Sequence, residues 1–297
     1  MNAKNPASTI VILAGCVFLA ALGIMYFKIS PASKHKMGCS PCRSSDKCDA
    51  RNIASQNMLC ALGLPGIQHI EMSVAQRTLA SWVNHVQSET AKYLSNFRQN
   101  RASFNNSEAY YRMLTLVTVL QQDFGVHYNP SRIGGANTLE SNDAFFADAS
   151  DVFLHGILGP RHRGTCASMP VLYVAVGRSL GYPLNLVTTK GHLFARWEDA
   201  KEHFNIEATN EGLNCYPDEY YQHWPFELTP AEIKSGRYLR SLTSKEELAL
   251  FLQTRGMCLK ANGRFAEARE AWEKARQLAP DWTEHKYLIA SVSQKLQ

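Results

Sequence analysis

Cys166, His192 and Glu207 are the residues of this chain whose types and order suit covalent chemistry. A thiol, an imidazole and a carboxylate supply a nucleophile, its base and a group that orients the base. Downstream of Cys166, the apolar residues Met169, Leu172, Tyr173, Val176 and Leu180 recur at helical spacing, and Gly181 and Pro183 stop the run. Pro170 lacks an N–H and is comfortable only in a first helical turn, so the helix is expected to start near 166–167, with Cys166 at its N-terminus. Unpaired N–H groups and about half a positive charge gather at such an end. Both favour a thiolate and can stabilise an oxyanion.

Three strands are expected next, at 184–189, 192–197 and 203–208, separated by Lys190-Gly191 and by a polar run. A hairpin centred between Asp199 and Ala200 sets His192 directly opposite Glu207, on one face of the sheet. The carboxylate then fixes the imidazole tautomer and the imidazole takes the thiol proton. The thiolate attacks an amide or ester carbonyl to give a thioester, which water or an amine resolves.

Other polar and aromatic residues nearby take blander roles. His155 and His162 read as solvated or capping, Cys215 as structural, and Asp218 and Glu219 as a polar turn. Tyr220, Tyr221 and Trp224 read as the end of the core.

The segments RGTCASMPVLYVAVGRSLGYP, GHLFARW and FNIEAT together resemble the transglutaminase-like superfamily of papain-like cysteine enzymes. Cys166 matches the Cys that opens a helix, His192 with Phe194 the His-x-aromatic strand, and Glu207 the acidic residue ahead of Thr209. Most members carry Asp where this chain has Glu207. The resemblance covers residues 151–210, and the helical part from 60 to 150 is similar to the N-terminal half of some bacterial members. It implies an α+β fold, with the Cys-bearing helix on an antiparallel sheet. It also implies a thiol enzyme acting on peptide or protein amides without cofactor or metal, and leaves open an inactive scaffold that keeps the fold.

The elements that must position these residues flank them. A helix from Ser73 to about Phe97, with a capping box at Ser73 and Gln76, precedes a second from Ser107 to Phe124 that Gly125 stops. Residues 126–150 read as a loop-rich connection. Near the C-terminus, Gly256, Ala268, Trp272, Ala275 and Pro280 fall at the diagnostic positions of one tetratricopeptide repeat over 249–282. A lone repeat cannot bury its own face, so it docks on the preceding domain or on a protein partner. Residues 283–297 read as a further helix that caps it.

The opposite end is different. Residues 5–27 carry no charge, and 9–27 is almost wholly apolar, long enough at ~1.5 Å per helical residue to match a ~30 Å bilayer core. It reads as a membrane anchor, with a cleaved signal peptide or lipidation at Cys16 as rivals. Positive-inside counting does not orient it, because Lys4 faces Lys28, Lys34 and Lys36 across the segment. Cys39, Cys42, Cys48 and Cys60 follow at spacings that suit disulfides better than a zinc ribbon, and so favour an extracytoplasmic body. The expected domains are a tail (1–8), an anchor (9–27), a Cys-containing stalk (28–60), a transglutaminase-like domain (61–245) and a tetratricopeptide-like repeat (246–297). The net charge of +5 is spread along the chain rather than gathered in blocks and argues neither for nor against nucleic acid, which is not among the expected partners.

Overall fold

The computed structural model describes residues 46–67, 71–132 and 143–296, with side chains from residue 53 onward, all within the compact unit Ser44–Gln297. The expected anchor, Cys16, Cys39 and Cys42 lie outside these residues, as does the side chain of Cys48.

The chain enters through helix α1 (Asp46–Ala61), which corrects the expected stalk. Ile53, Ala54, Asn57, Met58 and Ala61 recur at helical spacing and are buried. Asn57 Oδ1 accepts the backbone N–H of Leu154 at 2.9 Å. Cys60, expected in a disulfide, is a buried free thiol, and burial pushes its pKa up to about 11. Of the expected stalk, Ile53, Ala54, Asn57, Met58 and Cys60 are therefore part of the core.

Helix α2 (Met72–Gln99) begins one residue before Ser73, and Glu71 stands at its N-cap without a side-chain bond, so no capping box forms there. Helix α3 (Glu108–Thr118) is capped by Ser107, whose Oγ accepts from the Tyr110 N–H at 2.8 Å. A wide turn over Val119–Asp123 extends α3 to Gly125, which takes φ +65° and ends the run. The described residues of the connection beyond include strand β1 (His127–Tyr128) and the short helices α4 (Asp143–Phe146) and α5 (Ala149–Val152), and helix α6 (Leu154–Leu158) follows. Strand β2 (Arg163–Gly164) runs parallel to β1.

Helix α7 (Met169–Ser179) is buried along most of its length and packs against α1, α2 and the sheet. That sheet has the order β3-β4-β5, from β3 (Leu184–Thr189), β4 (His192–Glu198) and β5 (His203–Ile206), all antiparallel. The result is an α+β core in which a central helix lies on a small antiparallel sheet. Helices α8 (Asp218–His223) and α9 (Pro230–Lys234) follow.

The C-terminal helices α10 (Ser244–Ala261), α11 (Phe265–Leu278) and α12 (Glu284–Ser293) stack in sequence. Gly256 lets α11 close on α10, since a Cβ there would meet Trp272 Nε1 at 2.2 Å. Gly263 makes the turn between them at φ +75°. Trp272 is fully buried and donates Nε1–H to Gln253 O at 3.0 Å. This hairpin docks in cis, because α10 packs on α1 and α4 and shares their core.

Candidate active site

The turn before α7 is built from Thr165, Cys166, Ala167 and Ser168. Ser168 N and Met169 N donate to Thr165 O at 3.1 and 2.9 Å. Thr165 N donates to Ser168 Oγ at 3.1 Å. Both hydroxyls then donate to the carbonyl of Asp151, Thr165 Oγ1 at 2.8 Å and Ser168 Oγ at 3.0 Å. This local bonding delays the helix: α7 starts at Met169, not at 166–167, and Cys166 sits in the lead-in turn with Pro170 still in the first helical turn. Asp151 is itself clamped from behind, accepting from Asn129 Nδ2 at 2.8 Å and Arg132 Nε at 2.9 Å. Gly164 is required just before the turn, since a Cβ would meet Ile157 Cδ1 at 2.6 Å and Ser168 Oγ at 2.7 Å.

Across the cleft the hairpin is registered differently from expectation. Ala195 pairs with Ile206 and Glu198 with His203, because the Asp199 carboxylate accepts from the N–H groups of Lys201 and Glu202 at 2.7 and 2.8 Å and sets the turn further along. Glu207 leaves the ladder and bridges Asn214 instead. His192 and Glu207 are therefore diagonal rather than directly opposed. The slip is by an even number of residues, so both stay on one face. His192 Nε2 meets Glu207 Oε2 at 2.9 Å, with the two side chains 3% and 2% exposed.

Four donors converge on that carboxylate. Oε1 accepts from Thr209 N at 3.0 Å and Thr209 Oγ1 at 2.6 Å. Oε2 accepts from the Tyr221 hydroxyl at 3.1 Å as well as from His192. Burial alone would raise the Glu207 pKa, yet the bonds from His192 and Thr209 hold it below the ordinary value. For His192, burial pulls downward, but the neighbouring Cys166 thiol and the Glu207 carboxylate outweigh it and push the imidazole up to about 9. With Nε2 engaged by Glu207, the other ring nitrogen is left for the half-buried Cys166 thiol, which lies close enough to the ring to favour its charged form.

Several residues with bland expectations belong to this site. Tyr221 is fully buried and braces Glu207. Trp224, 37% exposed, packs edge-on against His192 with centroids 4.6 Å apart. Tyr128 on β1 lies beside Cys166 and within the field of Glu207. Asp218 is more than a polar turn, because it binds Arg196 Nη2 at 2.5 Å and Asn205 Nδ2 at 2.8 Å and so holds β4 to β5. His162 is half-buried, with its ring edge-on to Trp82 at 5.5 Å. His155 is neither solvated nor capping: it is fully buried, neither ring nitrogen has a partner, and burial pushes its pKa down to about 4. Cys215 is an exposed free thiol. Short aromatic-rich segments give no sign of which ring will face a cleft.

The fold and this constellation define a transglutaminase-like architecture, and comparison with protein families agrees. The model described as the transglutaminase-like superfamily matches residues 69–249, and that described as the tetratricopeptide repeat matches 249–282. The first match covers well over half the chain, which belongs to the transglutaminase-like superfamily. No curated protein and no solved structure matches it. Among the described residues, no helix is long and apolar enough to cross a membrane.

Proposed function

We propose that the chain is a thiol enzyme acting on peptide or protein amides, with Cys166 as nucleophile, His192 as its base and Glu207 as the carboxylate that orients the histidine. The observation that carries this reading is the placing of His192 between the thiol and a carboxylate that accepts four hydrogen bonds. The reaction begins with transfer of the thiol proton to the imidazole, and the sulfur attacks the carbonyl carbon. Collapse of the tetrahedral adduct expels the amine, which takes the proton back from the imidazolium and leaves a thioester. Water or a second amine then attacks the thioester, giving hydrolysis or acyl transfer.

A thiol-reactive peptide probe is expected to label Cys166 of the folded protein in a pH-dependent manner, and His192→Ala to abolish that labelling. Labelling that appears only after denaturation sinks the reading and leaves a scaffold that keeps the fold without turnover.

The repeat supports a protein partner on its outer helices, since α10 is occupied in cis. We also propose that residues 9–27 tether the body to a membrane, on the strength of their uncharged apolar run. The full chain is expected to stay with the membrane fraction through alkaline carbonate washing, and a chain lacking residues 1–27 to be released. Equal extraction of the two forms refutes the tether.

A further inference from the structure

We propose that Tyr221 is a positioning residue that acts through Glu207: by sharing Oε2 with His192, its hydroxyl limits the hold of the carboxylate on the protonated ring, which can then release its proton again. This rests on the thiol-enzyme reading above. That reaction asks two opposite things of His192, to take the proton of the thiol and to return one to the departing amine. A carboxylate oxygen left to the histidine alone serves the first at the expense of the second.

Glu207 divides its two oxygens between two pairs of donors. Oε1 is filled by Thr209 N at 3.0 Å and Thr209 Oγ1 at 2.6 Å. Oε2 takes His192 Nε2 at 2.9 Å and the Tyr221 hydroxyl at 3.1 Å. An ionised carboxylate only accepts, so the hydroxyl directs its proton at Oε2. Each donor stabilises the ionised carboxylate and leaves less of its charge to the imidazolium.

The phenol is held in place from several sides. Its ring lies flat on Phe194 of β4 with centroids 3.8 Å apart, and its carbonyl accepts from Thr189 Oγ1 of β3 at 2.7 Å. Helix α8, which carries it, is pinned through Asp218 to Arg196 on β4 and Asn205 on β5. Tyr216 lies edge-on to the same ring. The other titratable groups around His192 and Glu207 are the Cys166 thiol and the phenols of Tyr128 on β1, Tyr173 on α7 and Tyr220 on α8. Burial pushes these three phenols upward, and Tyr221 with them. The four stay neutral, and the hydroxyl of Tyr221 stays a donor.

In acylation the imidazole takes the thiol proton as the S–C bond forms, and the imidazolium passes it to the amine as the C–N bond breaks. In deacylation the neutral ring takes a proton from water as the O–C bond forms, and returns it to the sulfur as the S–C bond breaks. The Tyr221 hydroxyl transfers no proton in either half.

The test is an NMR titration of the His192 ring in the full chain, run beside the hydrolysis of 4-nitrophenyl acetate. Tyr221→Phe keeps the ring on Phe194 and removes the hydroxyl. It is expected to move the His192 titration upward from about 9 by on the order of one pH unit. The pH midpoint of acetyl-enzyme hydrolysis moves the same way, and turnover at neutral pH falls about tenfold with the neutral fraction of the ring. 3-Fluorotyrosine at position 221 is a stronger donor and is expected to move both midpoints down, so either variant alone gives the sign. A merely structural role lowers the rate at every pH and leaves the midpoints in place, which overturns the proposal. A Cys166-dependent burst of nitrophenolate with an unmoved His192 titration sinks this inference alone. Absence of any such burst in the wild type sinks the thiol-enzyme reading and this inference with it.

Discussion

Glu207→Gln is expected to lower thioester formation at Cys166 by about 10³–10⁴-fold while the chain remains folded. The amide has almost the same shape as the carboxylate, so packing is preserved and the effect isolates charge and hydrogen-bond polarity. Every oxygen of Glu207 faces donors: Thr209 N and Oγ1 on one side, Tyr221 and His192 on the other. A glutamine must turn its NH₂ toward one of these pairs. Facing His192, it makes Nε2 an acceptor and moves the ring proton to the nitrogen beside the thiol. The imidazole then presents a donor where a base is needed. Facing Thr209, it strands the backbone N–H that now binds Oε1.

The sign on His192 follows. Its pKa stands near 9 because the thiol and the carboxylate favour the charged ring against burial. Removing the carboxylate leaves burial less opposed, so the value falls toward or below the ordinary 6.5. An NMR titration of the His192 ring and the burst rate together read both effects. A glutamine variant that acylates within tenfold of wild type (about 1.4 kcal/mol) and titrates near 9 refutes the orienting role. Glu207→Asp, which keeps the charge on a shorter side chain, is expected to recover part of the loss.

The types of the key residues were legible in the sequence, whereas their exact placement was not. Pro170 correctly confined the helix start to its neighbourhood, but the Thr165 and Ser168 hydroxyls compete for backbone groups and hold Cys166 in a turn instead. Hairpin symmetry put His192 and Glu207 on one face, while the Asp199 side chain moved the turn centre and made them diagonal. The even slip rescued the pairing, and an odd one would have separated them. Helix α1 was missed because its buried face is Ile53, Ala54, Asn57, Met58 and Ala61, in which only two residues are strongly apolar. Tyr128 was illegible, because the pairing that brings it to Gly164 reaches across helices α4, α5 and α6 and involves two residues per strand. The repeat was easier, since Gly256, Ala268, Trp272 and Ala275 answer to one another inside a single hairpin.

What ties that hairpin to the site is a buried ion pair, and breaking it is expected to destabilise the whole unit by about 3–5 kcal/mol. Glu247, on the first turns of α10, is buried and takes two bonds from Arg178 on α7: Nη2 to Oε1 at 2.7 Å and Nη1 to Oε2 at 3.0 Å. Arg178 Nε also donates to Leu184 O at 2.7 Å, where β3 begins. One guanidinium therefore joins the central helix, the sheet and the repeat. Further along α10, Arg255 Nη1 donates to the carbonyls of Cys60 and Leu62 at 2.8 and 2.7 Å, and Lys260 Nζ meets Asp143 at 2.7 Å. Glu247→Ala leaves a nearly buried cation without its carboxylate, and the cost is that of the stranded charge rather than of the pair itself. The expected result is a melting temperature lower by roughly 10 °C, with loss of Cys166 labelling on the same thermal transition. The double variant Arg178→Met, Glu247→Leu replaces charge by packing and is expected to recover most of the stability. If Glu247→Ala instead costs under about 1 kcal/mol, as exposed ion pairs do, or if the repeat melts apart from the Cys166 domain, the hairpin is a loosely hung module and not part of the scaffold that holds the site.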